Sequence, residues 1–180
     1  MSPAESTAWR AEAVITLCAE RGWTLGVAES LTGGLVLADL ITVPGASEVV
    51  VGGVVAYHPR LKRSLLDVPE STLAEHGTVS EQCALAMARG ARRRLGVVVA
   101  LATTGVAGPS TSEGHPVGTV HCAVSTLVPG REEVSVASAL NLNGTRIEIR
   151  TQACAAVMSL LLDTLTSQGP PAIREAGGVR

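Results

Sequence analysis

Val27-Ala28-Glu29-Ser30-Leu31-Thr32-Gly33-Gly34 joins two apolar runs, Thr24-Leu25-Gly26-Val27-Ala28 before it and Leu35 to Ile41 after it. The first run is short, bounded by Gly22, and reads as a buried strand of an α/β domain. The second is long enough for a short helix, with Thr32 placed to cap it. Ser30 then falls at the carboxyl end of a strand, where open α/β sheets place their ligands. The N–H groups of Thr32, Gly33 and Gly34 would face the same space, and glycines let a ligand approach the backbone. Two readings stay open on this stretch alone. Ser30 is a nucleophile beside an anion or oxyanion site, or Ser30 and Thr32 are caps and the glycines only make the turn.

Working outward, residues 5–21 carry Trp9, Ala13, Val14, Leu17 and Cys18 at helical spacing, an amphipathic helix whose pattern Gly22 ends. Val49 to Tyr57 is a dense β-branched run that reads as a central strand, bulged at Gly52-Gly53. His58-Pro59 breaks it, and Arg60 to Leu66 suits a short helix beginning near Pro59, with Lys62 on its first turns. Val68 to Gly77 reads as irregular or weakly helical. Ser80 caps a helix running to about Leu95. Val97 to Thr103 is a fully apolar strand leading into the glycine-bearing loop Thr104-Gly105-Val106-Ala107-Gly108-Pro109. Ser110 to Pro116 is polar. Val117 to Thr126 and Glu133 to Leu140 pair as a hairpin turned at Pro129-Gly130. Asn143-Gly144-Thr145-Arg146 opens a last helix with Ile147, Ala153, Cys154, Val157, Leu160 and Leu161 inward.

The expected architecture is a three-layer α/β/α sandwich with a mixed sheet of about five or six strands. One domain covers 1–168, with no repeat or dividing linker; 169–180 has no core-forming pattern and is expected to be a disordered tail.

Composition narrows function. Of 180 residues, 46% are apolar and 2% aromatic, so the core is aliphatic. A net charge of -2 and the scarcity of stacking side chains argue against a nucleic-acid partner. The four cysteines are scattered in apolar elements without a C-x-x-C pair, as small buried hydrophobes in a reducing compartment. No apolar run reaches membrane-spanning length and no signal-peptide layout opens the chain, so a cytoplasmic protein with no membrane partner is expected. The histidines His58, His76, His115 and His121 lie apart, in no metal-ligand spacing, and no metal is expected. The dinucleotide, Walker and G-x-S-x-G signatures are absent, so a nucleophilic Ser30 needs another base.

Lys62 is the candidate base, because a desolvated lysine loses its proton near neutral pH. It is the one lysine among 14 basic side chains. The competing reading is a solvated helix charge. Arg146, at a helix start where a cation is disfavoured, is better explained by a bound anion. Tyr57 offers a phenol at a strand end or packs on the core rim.

These residues, taken together, resemble the CinA C-terminal (competence/damage-inducible) family. The resemblance rests on Ala28-Glu29-Ser30-Leu31-Thr32-Gly33-Gly34, Gly45-Ala46-Ser47, Tyr57 with Lys62, His76-Gly77-Thr78-Val79-Ser80, Thr104-Gly105-Val106-Ala107-Gly108-Pro109 and Pro116-Val117-Gly118-Thr119-Val120. It spans about Ala11 to Leu165. It implies nicotinamide mononucleotide deamidation, with Ser30 as nucleophile, Lys62 as general base, and Ser47 and Tyr57 as accompanying hydroxyls. Thr32, Gly33, Gly34, Thr104, Gly105, Gly108 and Arg146 would contact a small-molecule nucleotide substrate, without a metal or organic cofactor. Self-association as a homodimer or higher homo-oligomer is also implied. The chain departs from the family pattern at His58-Pro59, where Ser-Asn is usual, and at His115, where lysine is usual. Ser110-Thr111-Ser112-Glu113-Gly114 replaces a glycine-rich loop.

Overall fold

A computed structural model describes residues 3–167 of the chain; the expected tail at 169–180 lies outside the described residues. The elements run α1 (Pro3–Glu20), β1 (Leu25–Glu29), α2 (Leu35–Ile41), a 3-10 turn (Ala46–Glu48), β2 (Val50–Val55), α3 (Pro59–Leu66), α4 (Glu70–His76), α5 (Glu81–Leu95), β3 (Val99–Gly105), β4 (Thr119–Thr126), β5 (Val134–Asn141) and α6 (Arg146–Ser167). The five strands form one mixed sheet in the order β2-β1-β3-β4-β5. β2, β1 and β3 are parallel, and β3, β4 and β5 antiparallel. Helices cover both faces, as expected for the three-layer α/β sandwich.

The apolar strands alternate in size, and this sorts the layers. Leu25, Val27, Val99 and Leu101 pack under α1, α2 and α6. On the opposite face Ala28, Ala100, Ala102 and Ala123 meet α5, whose small residues allow a close approach. Gly90 on α5 is the tightest point: a Cβ there would lie 1.8 Å from the Leu66 carbonyl oxygen. That contact sets α3 against α5, and so places Lys62.

Several local expectations hold. Ser80 Oγ accepts the Cys83 N–H at 3.1 Å and caps α5. The pairing of β1 with β2 slips between Leu25 and Gly26, a bulge beside the Gly52-Gly53 pair. His58-Pro59 is a helix start: Pro59 opens α3 and the Arg60 N–H donates to His58 Nδ1 at 3.2 Å.

Others are corrected. β2 is an edge strand, not a central one, with Val51 and Val55 exposed; β-branched density marks a strand without fixing its place in the sheet. Residues 70–76 form a regular short helix, α4. Trp9 and Ile147 point outward, because the buried stripes of α1 and α6 run through Ala11, Val14, Ile15 and Cys18 and through Ile149, Ala153, Cys154 and Val157.

Candidate active site

β1 connects through α2 to β2 on one side, while the chain returns through α5 to β3 on β1's other side. The crevice at the carboxyl ends of β1 and β3 is therefore a topological switch point, where α/β sheets bind ligands. Ser30 stands there. Its N–H continues the β1–β3 ladder to the Thr103 carbonyl at 3.0 Å, and it borders a cavity of about 260 Å³. Leu31, Tyr57, Thr78, Thr104, Gly105, Gly108, Glu113 and Arg146 also line that cavity.

The turn after Ser30 is held from two sides. Glu29, buried on β1, turns its carboxylate to the start of α2 and accepts N–H bonds from Gly34 (2.8 Å), Val36 (3.1 Å) and Leu37 (2.9 Å). This is a favourable place for a carboxylate, since the first helical N–H groups lack internal partners. Arg150 of α6 takes the opposite groups, donating Nε to the Leu31 carbonyl at 3.1 Å and Nη2 to the Thr32 carbonyl at 2.6 Å. Gly33 and Gly34 have φ of +62° and +100°, values that favour glycine.

These bonds correct two expectations. Thr32 does not cap α2; it is buried and its Oγ1 lies 2.7 Å from Thr103 Oγ1, while the cap position is Gly34. Gly34 is not a free anion donor either, because Glu29 occupies its N–H. Neither Thr32, Gly33 nor Gly34 borders the cavity.

Lys62 is 1% exposed, the bulkiest of the fully buried side chains. Its Nζ lies 3.5 Å from the Met87 sulfur, a weak acceptor, and no carboxylate among the described residues is within ion-pair distance. Burial pushes the ammonium below the ordinary lysine range, with Cys83 and Glu113 pulling it partly back. Lys62 is thus not a solvated helix charge. Lys62 is not among the residues that line the cavity, and it forms no hydrogen bond to Ser30 in this structure.

Tyr57 and Arg146 meet at the cavity mouth. Arg146 donates Nη1 to the Gly108 carbonyl at 2.6 Å and Nη2 to Tyr57 Oη at 3.3 Å. Thr104 lines the cavity, but its hydroxyl is committed to the Thr78 carbonyl at 2.7 Å. Ser47 is not brought to this site within the chain. It lies exposed in the 3-10 turn before β2; β2 runs parallel to β1, so that turn is a strand length, about 16 Å, from the carboxyl ends. A relay through Ser47 has no path inside one chain.

Four residues without an assigned role at the sequence level prove central: Glu29, Thr78, Glu113 and Arg150. Glu29 and Thr78 stand inside the motifs quoted above, and Arg150 lies one helical turn after Arg146, a spacing that puts both on one helix face. Glu113 accepts the Thr78 N–H at 2.7 Å and the Thr78 hydroxyl at 2.6 Å, pinning the β3–β4 loop to the cavity rim. Among the described residues no group of three or more His, Cys, Asp or Glu is arranged to hold a metal ion, and no helix is long and apolar enough to cross a membrane.

Fold and site together define an α/β protein with a serine at the switch point of its sheet and a buried lysine on α3. A family model for the CinA C-terminal domain matches residues 8–165, and the chain belongs to that family. It is 45% identical over 148 residues to a CinA-like protein of Frankia casuarinae, covering 82% of this chain and 33% of that one. It is 56% identical over 107 residues to a putative competence-damage inducible protein of Desulforamulus reducens, covering 59% and 26%. The chain spans about a third of the length of such curated relatives. Among solved structures it resembles the competence/damage inducible protein CihA from Agrobacterium tumefaciens, with a TM-score of 0.82, 35% identity, and 88% and 94% of the two chains covered. A competence damage-inducible protein A of Klebsiella pneumoniae gives a TM-score of 0.81 at 32% identity, with 94% and 100% covered.

Proposed function

We propose that the chain is a nicotinamide-nucleotide amidohydrolase that converts the carboxamide of nicotinamide mononucleotide to the carboxylate, releasing ammonia. The observation that carries this reading is Lys62, a buried amine with no counter-ion among the described residues, on the helix whose first residue, Pro59, lines the cavity that Ser30 borders. A structural role does not explain such a lysine, since an unpaired buried ammonium costs stability.

In this mechanism Lys62, as the neutral amine, swings from Met87 to take the Ser30 hydroxyl proton, directly or through one water. Ser30 Oγ attacks the carboxamide carbon. The tetrahedral intermediate collapses as Lys62 returns the proton to the leaving nitrogen, and ammonia departs. Water then hydrolyses the acyl-enzyme to the acid.

Arg150, donating to the Leu31 and Thr32 carbonyls, fixes the turn after Ser30 and with it the direction of the nucleophile. Tyr57 and Arg146 serve the substrate phosphate at the mouth.

Incubation with nicotinamide mononucleotide tests the proposal. Ammonia and nicotinate mononucleotide are expected one for one; no ammonia above a Ser30→Ala control sinks the assignment. A second reading, a nucleotide-binding or regulatory module without turnover, is favoured by one observation: the Lys62 amine rests on a thioether instead of on Ser30. Ligand binding by calorimetry without product would select it.

A further inference from the structure

The cavity over Ser30 has an electrical polarity that amide hydrolysis alone does not require. Two of its lining side chains carry full charge, Arg146 at the start of α6 and Glu113 in the β3–β4 loop. They are of opposite sign, and no ion pair joins them among the described residues. Each is held by its own partners. Arg146 is tied to the Gly108 carbonyl and the Tyr57 hydroxyl, and Glu113 to Thr78.

Glu113 is fixed through a chain of three residues. Thr104 Oγ1 donates to the Thr78 carbonyl at 2.7 Å, and Thr78 in turn donates its N–H and its hydroxyl to the two Glu113 oxygens. Partial burial pushes the carboxyl up, but the Thr78 hydroxyl, the Thr78 amide and the Val79 amide outweigh it and hold the group below its ordinary range. The carboxylate is therefore ionised and held at the rim by Thr78. Each oxygen accepts one bond and keeps further acceptor capacity, so the group offers a cation both its field and a free lone pair. A delocalised aromatic ring cation, which has no N–H to donate, would use the field alone.

We propose that Glu113 and Arg146 act as a bipolar recognition pair that selects a zwitterionic nucleotide, the carboxylate serving a quaternary ring cation and the guanidinium an anionic phosphate. The cavity then prefers a pyridinium nucleotide to its reduced, electrically neutral dihydropyridine form. The identity of the nucleotide rests on the amidohydrolase reading; the charge selection belongs to the cavity itself.

The test uses oxidised and reduced nicotinamide mononucleotide with the wild-type chain and Glu113→Gln, which keeps the side chain's size and an oxygen for Thr78. Calorimetry gives Kd for both forms, and ammonia release gives kcat/KM. The wild-type Kd ratio is expected to favour the oxidised form about fivefold, on the scale of one partly screened charge pair. The ratio should collapse to within about twofold in Glu113→Gln, and shrink in the wild type as salt is raised. An unchanged ratio in the variant, with both forms weakened alike, would show that Glu113 only pins the loop and would overturn the proposal. So would a wild type that binds both forms equally or neither. Selective binding without ammonia from either form would instead overturn the hydrolase reading and leave the charge selection standing.

Discussion

The Lys62 amine lies against the Met87 sulfur at 3.5 Å, where α3 packs on α5, and this contact replaces the carboxylate partner that a buried lysine ordinarily has. A thioether cannot neutralise an ammonium. The fold therefore holds a group that is easier to deprotonate than to keep charged, at a cost to its own stability.

Replacing that amine should show the cost. Between the folded and the unfolded pKa of Lys62, the folded chain binds fewer protons than the unfolded one, so stability rises with pH in that window and levels off above about 10.5. Below the folded value the penalty is felt in full. Lys62→Met is expected to be more stable than wild type at neutral pH by about 1–3 kcal/mol, while losing turnover. Thermal unfolding checks this: a rise of several degrees is expected, with a flatter dependence on alkaline pH. A lowered Tm would contradict a net cost of burying the Lys62 amine.

Glu29 should govern both folding and rate. Its three N–H bonds fix the start of α2 next to Ser30. Glu29→Gln keeps the volume but sets an NH₂ against backbone donors, and is expected to cost about 2–3 kcal/mol. At temperatures where the variant stays folded, kcat should fall about tenfold or more with a smaller change in KM, since the turn positions the nucleophile rather than the phosphate. Equal kcat in the folded variant would remove Glu29 from that role.

Gly90→Ala tests the packing that places Lys62. In an exposed helix this change would gain up to about 1 kcal/mol from propensity. Here the added Cβ would lie 1.8 Å from the Leu66 carbonyl oxygen, far inside contact distance. Steric cost wins, and a net loss of about 2 kcal/mol or more is expected from moving α3 off α5. Chemical denaturation measures it; a stabilised variant would contradict the close α3–α5 contact.

Much of this was readable in the chain because the signals are local. The short apolar run Thr24 to Ala28, the Ser80 cap and the Pro59 helix start each depend on a few neighbouring residues, and each appears as expected. What was not readable depends on distant geometry. The edge position of β2 follows from which way the connection to β3 crosses β1. Thr32 lost the cap to Glu29 because a longer side chain reached the same amides from the strand. Ser47 came from motif order, which carries no information on which end of a parallel strand a turn will occupy. The burial of Lys62 had only its singular lysine identity as a signal, and the Thr78–Glu113 pair joins residues 35 apart with no shared periodicity.

The pairing of Ser30 with Lys62 is tested most directly by the rate at which a fluorophosphonate labels the protein, followed by intact and peptide mass as a function of pH. The account predicts a single adduct on Ser30, with a rate that rises along one ionisation below the ordinary lysine value of 10.5 and is lost in Lys62→Met. Labelling elsewhere, or labelling of Ser30 at an unchanged rate in Lys62→Met, would contradict it.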